Sequence, residues 1–392
     1  MMTALLAGCL LLTGLGGCQP DDGREVVGRV EVTLPVQAPV APEDRAKNVL
    51  LVINNASSES REIGAYYRAK RKIPRENVVL LSVSTTENVG MDEFRNGILT
   101  PVRNAIRKSP NRIDFIVTTT GVPLRLENDN GHSVDGHLMA MDLPLEPIRE
   151  LTPAEIRRVM NPYFGKAESF DSRKYRMYLT TRLTGYTVED AKRLVDNSLA
   201  AKPEKGPFFF DKAENRKTGG YLQMQNLLDR AHENLTKLGF DSMLDDTAEF
   251  RAPAMPLMGY ASWGSNDGAF NGEAYRRLRF KPGALVETYV STSGRTFRKT
   301  EGGQSLIVDL IAQGVTGVKG YVSEPYTFAL AQPDILFDRY VGGFNLAESF
   351  YMASPVIKWK DVVIGDPLCQ PYPMRVPSPG RVNGLRAFND IY

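Results

Sequence analysis

The sequence predicts an α/β fold with a mainly parallel central sheet flanked by helices. Three runs carry this expectation: 48–54 (NVLLVIN), 77–83 (NVVLLSV) and 113–118 (IDFIVT). Each is apolar almost throughout and of strand length, as expected where a strand is covered on both faces. Helix-period segments separate them, and strand–helix–strand alternation implies parallel pairing through right-handed crossovers. With 392 residues, 42% hydrophobic and 24% charged, the chain can bury a large core.

The elements follow in order. The stretch 58–72 places Ile63, Tyr66, Tyr67 and Ala69 on or near one face, and Pro74 stops it. In 91–108, Phe94, Ile98, Val102 and Ile106 recur at steps of four. Regular patterning stops after GVPLR (121–125). The turn-rich stretch 127–170 reads as an insertion over the sheet. Alternation then resumes with a strand at 175–181, a helix at 187–200, a strand at 208–211, a helix at 221–238 and a short strand near Phe240. The strand beginning near Leu257 runs into MGYASWGSNDG (258–268), where small and polar residues crowd its end. Further strands are expected at 283–290, 315–322 and 362–365, with helices at 303–312 and over most of 333–353. No repeat or linker divides 48–375, which reads as a single domain followed by a tail, 376–392.

The N-terminus differs from the rest. Leu5, Leu6, Leu10, Leu11, Leu12 and Leu15 form an apolar run too short to span a bilayer, ending at Leu15-Gly16-Gly17-Cys18. Residues 1–18 therefore read as a signal segment, and 19–47, with Pro35, Pro39 and Pro42, as a semi-extended tether. No Lys or Arg precedes the apolar run, so the start lies upstream of Met1 or the signal is atypical. If Cys18 is acylated after cleavage, only Cys369 of the three cysteines remains and no internal disulfide can form. The net charge of +2, from 48 basic and 46 acidic residues, gives no field for nucleic acid, and none is expected as a partner.

The chemistry-bearing residues fit no standard motif. There is no Gly-Lys-Ser/Thr phosphate loop, no dinucleotide fingerprint after the first strand and no Gly-x-Ser-x-Gly elbow; no cofactor is expected. Of the three histidines, His132 and His137 stand with Glu127, Asp129 and Asp135 in ENDNGHSVDGH, whose spacing matches neither zinc nor EF-hand templates. A polar loop without metal is the expectation there. What remains is a set of polar residues at strand ends, where ligands of open α/β sheets bind. It comprises Asn54, Asn55, Arg125, Trp263, Ser265, Asn266, Asp267, Glu287, Ser291, Ser293, Arg295, Glu324 and Asp366. If all strands run parallel, these converge on one edge. Asp267 and Glu287 are then the acid–base candidates and Ser291 and Ser293 the nucleophile candidates. Trp263, Ser265, Asn266, Arg125, Arg295, Glu324 and Asp366 would bind the ligand.

Two resemblances add to this reading. The Leu-x-Gly-Cys ending resembles the bacterial lipobox, which implies lipidation of Cys18. It also implies export and anchoring in the cell envelope, facing the periplasm or at the outer membrane, since Gln19 rather than Asp follows. The order GVTGVKGYVSEP, NLAESFYMA, VVIGDPLCQPY resembles the gingipain-like branch of the caspase-type peptidases. GVPLR, SVD, NPYF, TRLTG, GYASWGSNDG, ETYVSTSGRTF, GQSLIVDLI, GVKGYVSEPY and GDPLCQPY together resemble an uncharacterised family of exported bacterial proteins of that build. The peptidase resemblance implies a histidine at the end of the strand entering GYASWG and a cysteine at the end of the next. Trp263 and the Ser291–Ser293 stretch stand there instead. The expectation is thus a caspase/gingipain-like fold without the His–Cys dyad. It would be either a hydrolase using Ser, Asp and Glu chemistry or a non-catalytic module holding a peptide or glycan.

Overall fold

The computed structural model describes residues 45–145, 148 and 151–375. The signal segment, most of the tether and the tail 376–392 lie outside the described residues. Among those described, no helix is long and apolar enough to cross a membrane.

Ten strands form one continuous sheet. In chain order they are β1 (Val49–Asn54), β2 (Val78–Leu81), β4 (Phe115–Thr119), β6 (Leu179–Leu183), β7 (Phe208–Asp211), β8 (Ser242–Asp245), β9 (Leu257–Ser262), β10 (Phe280–Thr288), β11 (Gly317–Tyr321) and β12 (Asp361–Gly365). The short strands β3 (Asn88–Val89) and β5 (Arg125–Leu126) pair separately. The sheet order is β2-β1-β4-β6-β12-β11-β10-β9-β7-β8. The pairs β2–β1–β4–β6 are parallel, as are β11–β10–β9–β7–β8. β12 runs antiparallel to β11, with Gly317 opposite Gly365 and Tyr321 opposite Asp361. The central sheet is therefore mostly parallel, as the apolar runs predict.

β1 shows why those runs are continuous. Val49, Leu51 and Ile53 pack into one apolar cluster while Leu50 and Val52 pack into another, so both faces of the strand are covered by helices. Helix starts are set by local chemistry. Ser57 caps Ser58–Arg71 by accepting from the Ser60 N–H. Thr187 with Asp190, and Asn345 with Glu348, form capping boxes at Val188–Ala200 and Leu346–Ala353.

Several elements depart from the sequence pattern for identifiable reasons. The helix expected over 91–108 contains a π-turn at Phe94–Leu99, just before Pro101, which has no N–H to give to the preceding turn. The strand expected at 175–181 begins only at Leu179, because Asp171 caps a short helix, Ser172–Tyr175. Gly343, at φ 98°, separates Pro333–Val341 from Leu346–Ala353 where one helical stretch was expected.

The loops after the two parallel blocks meet. Glu87, beyond β2, accepts from the Thr296 hydroxyl and the Phe297 N–H, beyond β10. Arg125 Nη1 donates to the Val322 carbonyl, just past β11. At the other edge, Asp366 follows β12 and takes hydrogen bonds from Tyr67, Arg71 and Ser198.

Candidate functional site

A cleft of about 610 Å³ opens where β9, β10 and β11 end. β9 stops at Ser262 and the chain turns at once through Trp263 into the single turn Gly264–Asn266. Gly264 holds φ 48°, and a Cβ there would lie 2.7 Å from Val290 Cγ2, so the turn that carries Trp263 to the cleft requires glycine. β10 leads to Tyr289 and Ser291, and β11 leads to Glu324, Pro325 and Tyr326. The remaining wall comes from Arg216, Thr218 and Tyr221, at and before the start of the helix Gly219–Lys237.

The cleft is built from rings. Trp263 meets Tyr221 and Tyr289 edge-on, with centroids at 5.6 and 5.0 Å. The Arg216 guanidinium lies over Tyr221 at 4.8 Å and Trp263 at 5.5 Å, and its Nε and Nη2 donate to the Asn266 carbonyl. Trp263 itself is only 2% exposed, so the aromatic surface open to a ligand is that of Tyr221 and Tyr326, 40% and 42% exposed. Tyr326 sits at φ 62°, ψ 160°, a conformation nearly confined to glycine. The Glu324 carboxylate fixes it by accepting from the Tyr326 N–H at 2.9 Å. Such strain concentrates at ligand clamps, because the surrounding structure must hold it against a cost of about 1–3 kcal/mol.

Of the residues singled out in the sequence, Trp263, Asn266, Ser291 and Glu324 line this cleft. Ser265 lies behind it, its hydroxyl accepting from the Ser305 N–H. Asp267 is buried and caps a turn by accepting from the Ala269 N–H; burial holds its carboxyl above the usual range. Glu287 points into the interior of the sheet rather than the cleft and is fully buried. Burial pushes its pKa to about 8, against the opposing pull of Lys319 and a 2.6 Å hydrogen bond from the Tyr321 hydroxyl. Ser293 is buried, and its hydroxyl has no hydrogen-bond partner among the described residues. Among the described residues no side-chain hydrogen bond joins Asp267, Glu287, Ser291 and Ser293 to one another.

The other candidates hold loops. Arg125 bridges Asn88 and Val322, while Arg295 ties Thr292, Gly302 and Gln304 together through their carbonyls. Asn54 is a buried post whose amide donates to Val83 and Gly121, and Asn55 gives its N–H to Leu81. Asp366 does not reach the cleft. The expectation that all strand ends share one edge fails at β12, because its antiparallel course delivers Asp366 to the opposite edge, into an ion pair with Arg71. Cys369 lies beyond it, fully buried, its thiol pushed up to about 11 by burial.

Sequence reasoning missed Arg216, Tyr221 and Tyr326. The first two belong to KTGGY and its approach, where nothing in the local pattern distinguishes a wall from an ordinary helix start. Tyr326 could be found only from its backbone angle. A second cleft, about 620 Å³, lies beyond β1, β4 and β6, lined by Ser57, Thr86, Thr120, Arg182, Thr184 and Lys299 among others. Arg182 is committed there: it pairs with Asp135 through two hydrogen bonds and donates to the Val122 and Pro123 carbonyls.

No protein-family model matches the chain, and no curated protein matches it either. Several solved structures are similar to it, two of them as follows. One is the Arg-specific cysteine proteinase gingipain R, at 12% identity over 87% of this chain and 82% of that one, with a TM-score of 0.48. The other, described as a protease, is 12% identical over 84% and 79% of the two chains, with a TM-score of 0.48. At that degree of likeness the reading of the cleft rests on its own residues.

Proposed function

We propose that the protein is a non-catalytic binding module of caspase-type, gingipain-like build, holding a peptide or glycan chain in the cleft between Tyr221 and Tyr326. The supporting observation is the make-up of that cleft. Two exposed rings, a guanidinium and a carboxylate frame it, while the carboxyl groups of Asp267 and Glu287 are buried away from Ser291. Exposed tyrosines with polar neighbours suit a ring-bearing, hydroxyl-rich or amide-rich ligand, since one face is apolar and the rim can hydrogen-bond. Trp263, where the resemblance implies a histidine, lines this cleft, and so does Ser291 of the Ser291–Ser293 stretch, where it implies a cysteine. An indole cannot act as a general base, and among the described residues no hydrogen bond joins Ser291 to a base that could activate it. The hydrolase alternative would need Asp267 or Glu287 to reach Ser291 or Ser293.

The cellular setting is proposed from sequence alone. The apolar run ending at Leu15-Gly16-Gly17-Cys18 supports export and acylation of Cys18. The Pro-rich stretch 19–47 would then place the cleft outside the membrane surface.

Full-length protein probed with glycan and peptide arrays tests the binding reading. Wild type is expected to retain ligands that Tyr221→Ala and Tyr326→Ala release, without turnover. Cleavage of any retained ligand, abolished by Ser291→Ala, would establish the hydrolase instead. Labelled palmitate should enter wild type and not Cys18→Ser; equal incorporation in both removes the anchor.

A further inference from the structure

The sequence spacing gave no reason to expect a metal in ENDNGHSVDGH, but the fold gathers three of its side chains. The loop before the helix Val134–Met139 passes through left-handed residues at Asn128, Asn130 and Gly131, and folds Asp129 back over His132 and His137. Asp129 Oδ2 lies 3.2 Å from His132 Nδ1 and 2.7 Å from His137 Nε2. One ligand atom from each residue lies within 4.8 Å of the others. The three side chains are 15%, 2% and 13% exposed, so the group is sheltered while Asp129 and His137 still touch solvent.

From this geometry we infer that Asp129, His132 and His137 form a binding site for a first-row divalent cation of the zinc class. Two imidazoles and one carboxylate are a donor set that suits Zn²⁺ and its neighbours, and three protein ligands leave a position for water. With bonds of about 2.0–2.2 Å, tetrahedral donor–donor edges are about 3.3–3.6 Å. The 3.2 Å Asp129–His132 edge is close to this, and the 2.7 Å Asp129–His137 edge, now a hydrogen bond, must open by about half an ångström or slightly more as the cation replaces the proton. The rings are also held for the purpose. His132 packs on Trp359 at 5.2 Å and His137 meets Phe94 edge-on at 5.4 Å. His132 presents Nδ1 to Asp129, while its other ring nitrogen, Nε2, is buried and has no hydrogen-bond partner among the described residues.

The site adjoins the wall of the cleft. The Gly131 carbonyl accepts from the Ser323 hydroxyl at 2.7 Å, next to Glu324. Trp359, beneath His132, donates its indole N–H to Pro325 and packs against Phe328. A cation here clamps the loop that supports Glu324–Tyr326. The site stands whether or not the cleft binds a peptide or glycan.

The test uses untagged full-length protein stripped with a chelator. Titration calorimetry with Zn²⁺ should give one equivalent bound, and Co²⁺ should produce visible ligand-field bands. Asp129→Asn and His137→Ala should each weaken Zn²⁺ by about 100-fold or more, since a three-ligand site loses one donor. His232→Ala, which removes the histidine bonded to Ser242 elsewhere, should bind as wild type does. Substoichiometric Zn²⁺ binding by wild type, absent Co²⁺ bands, or undiminished affinity in Asp129→Asn would each overturn the site. Should either variant fail to fold, the Co²⁺ spectrum and the Zn²⁺-induced rise in Tm of wild type decide alone.

Discussion

The Trp263 indole N–H donates to Gln225 Oε1 at 2.9 Å, and the same Gln225 side chain bonds both the N–H and the carbonyl of Ala213. One buried amide thus fixes the cleft's central ring to the loop that delivers Arg216. Trp263→Phe keeps the apolar ring but removes the donor, leaving Gln225 Oε1 with only its weaker 3.3 Å bond. A loss of about 1–2 kcal/mol is expected in denaturant unfolding. Ligand retention should fall with it, and an unchanged midpoint would show that the bond has no part in positioning the ring.

Tyr326 gives a test of strain. At φ 62°, ψ 160° a Cβ is disfavoured, so Tyr326→Gly should be more stable than Tyr326→Ala by about 1 kcal/mol, although glycine is ordinarily the worse choice. Both variants lose the exposed ring and should bind ligand equally weakly. Equal thermal midpoints for the two would mean the backbone relaxes at no cost.

Asp211 predicts a pH dependence. It ends β7, buried, with neither carboxyl oxygen in a hydrogen bond of normal geometry among the described residues. Burial first, then Asp267 and Asp245, push its pKa to about 8. The folded state therefore keeps a proton that the unfolded chain releases above about pH 4. Stability from this group is full below that pH, declines as pH rises towards 8, and loses nothing further above it. Relative to its difference from wild type at pH 5, Asp211→Asn should gain about 4 kcal/mol by pH 8.5, about 1.4 kcal/mol for each pH unit up to 8. Parallel Tm–pH curves for the two proteins would contradict this.

Arg182 and Asp135 form a bidentate pair, 3% and 1% exposed. Arg182→Ala strands the carboxylate and the Val122 and Pro123 carbonyls, and should cost about 3–5 kcal/mol. Arg182→Ala combined with Asp135→Asn should recover part of that loss, measured as a double-mutant cycle. Simple additivity would show that the pair is not energetically coupled.

Much of the architecture was legible in local pattern. Continuous apolar runs such as 48–54 fixed the covered strands, and side chains at steps of four fixed the helices, because burial on each element follows its own repeat. The strand end at Ser262, with Trp263 and Asn266 beyond it, was also legible, since a change from apolar to small polar residues marks where a strand leaves the core. What only tertiary structure decided was direction and company. The antiparallel turn of β12 took Asp366 away, and the pleat sent Glu287 inward. Arg216 and Tyr221 reached Trp263, and Tyr326 the same cleft, from separate parts of the chain, and a left-handed loop brought Asp129 onto two histidines. Each of these depends on long-range pairing or on single backbone angles, which no local hydrophobic period encodes.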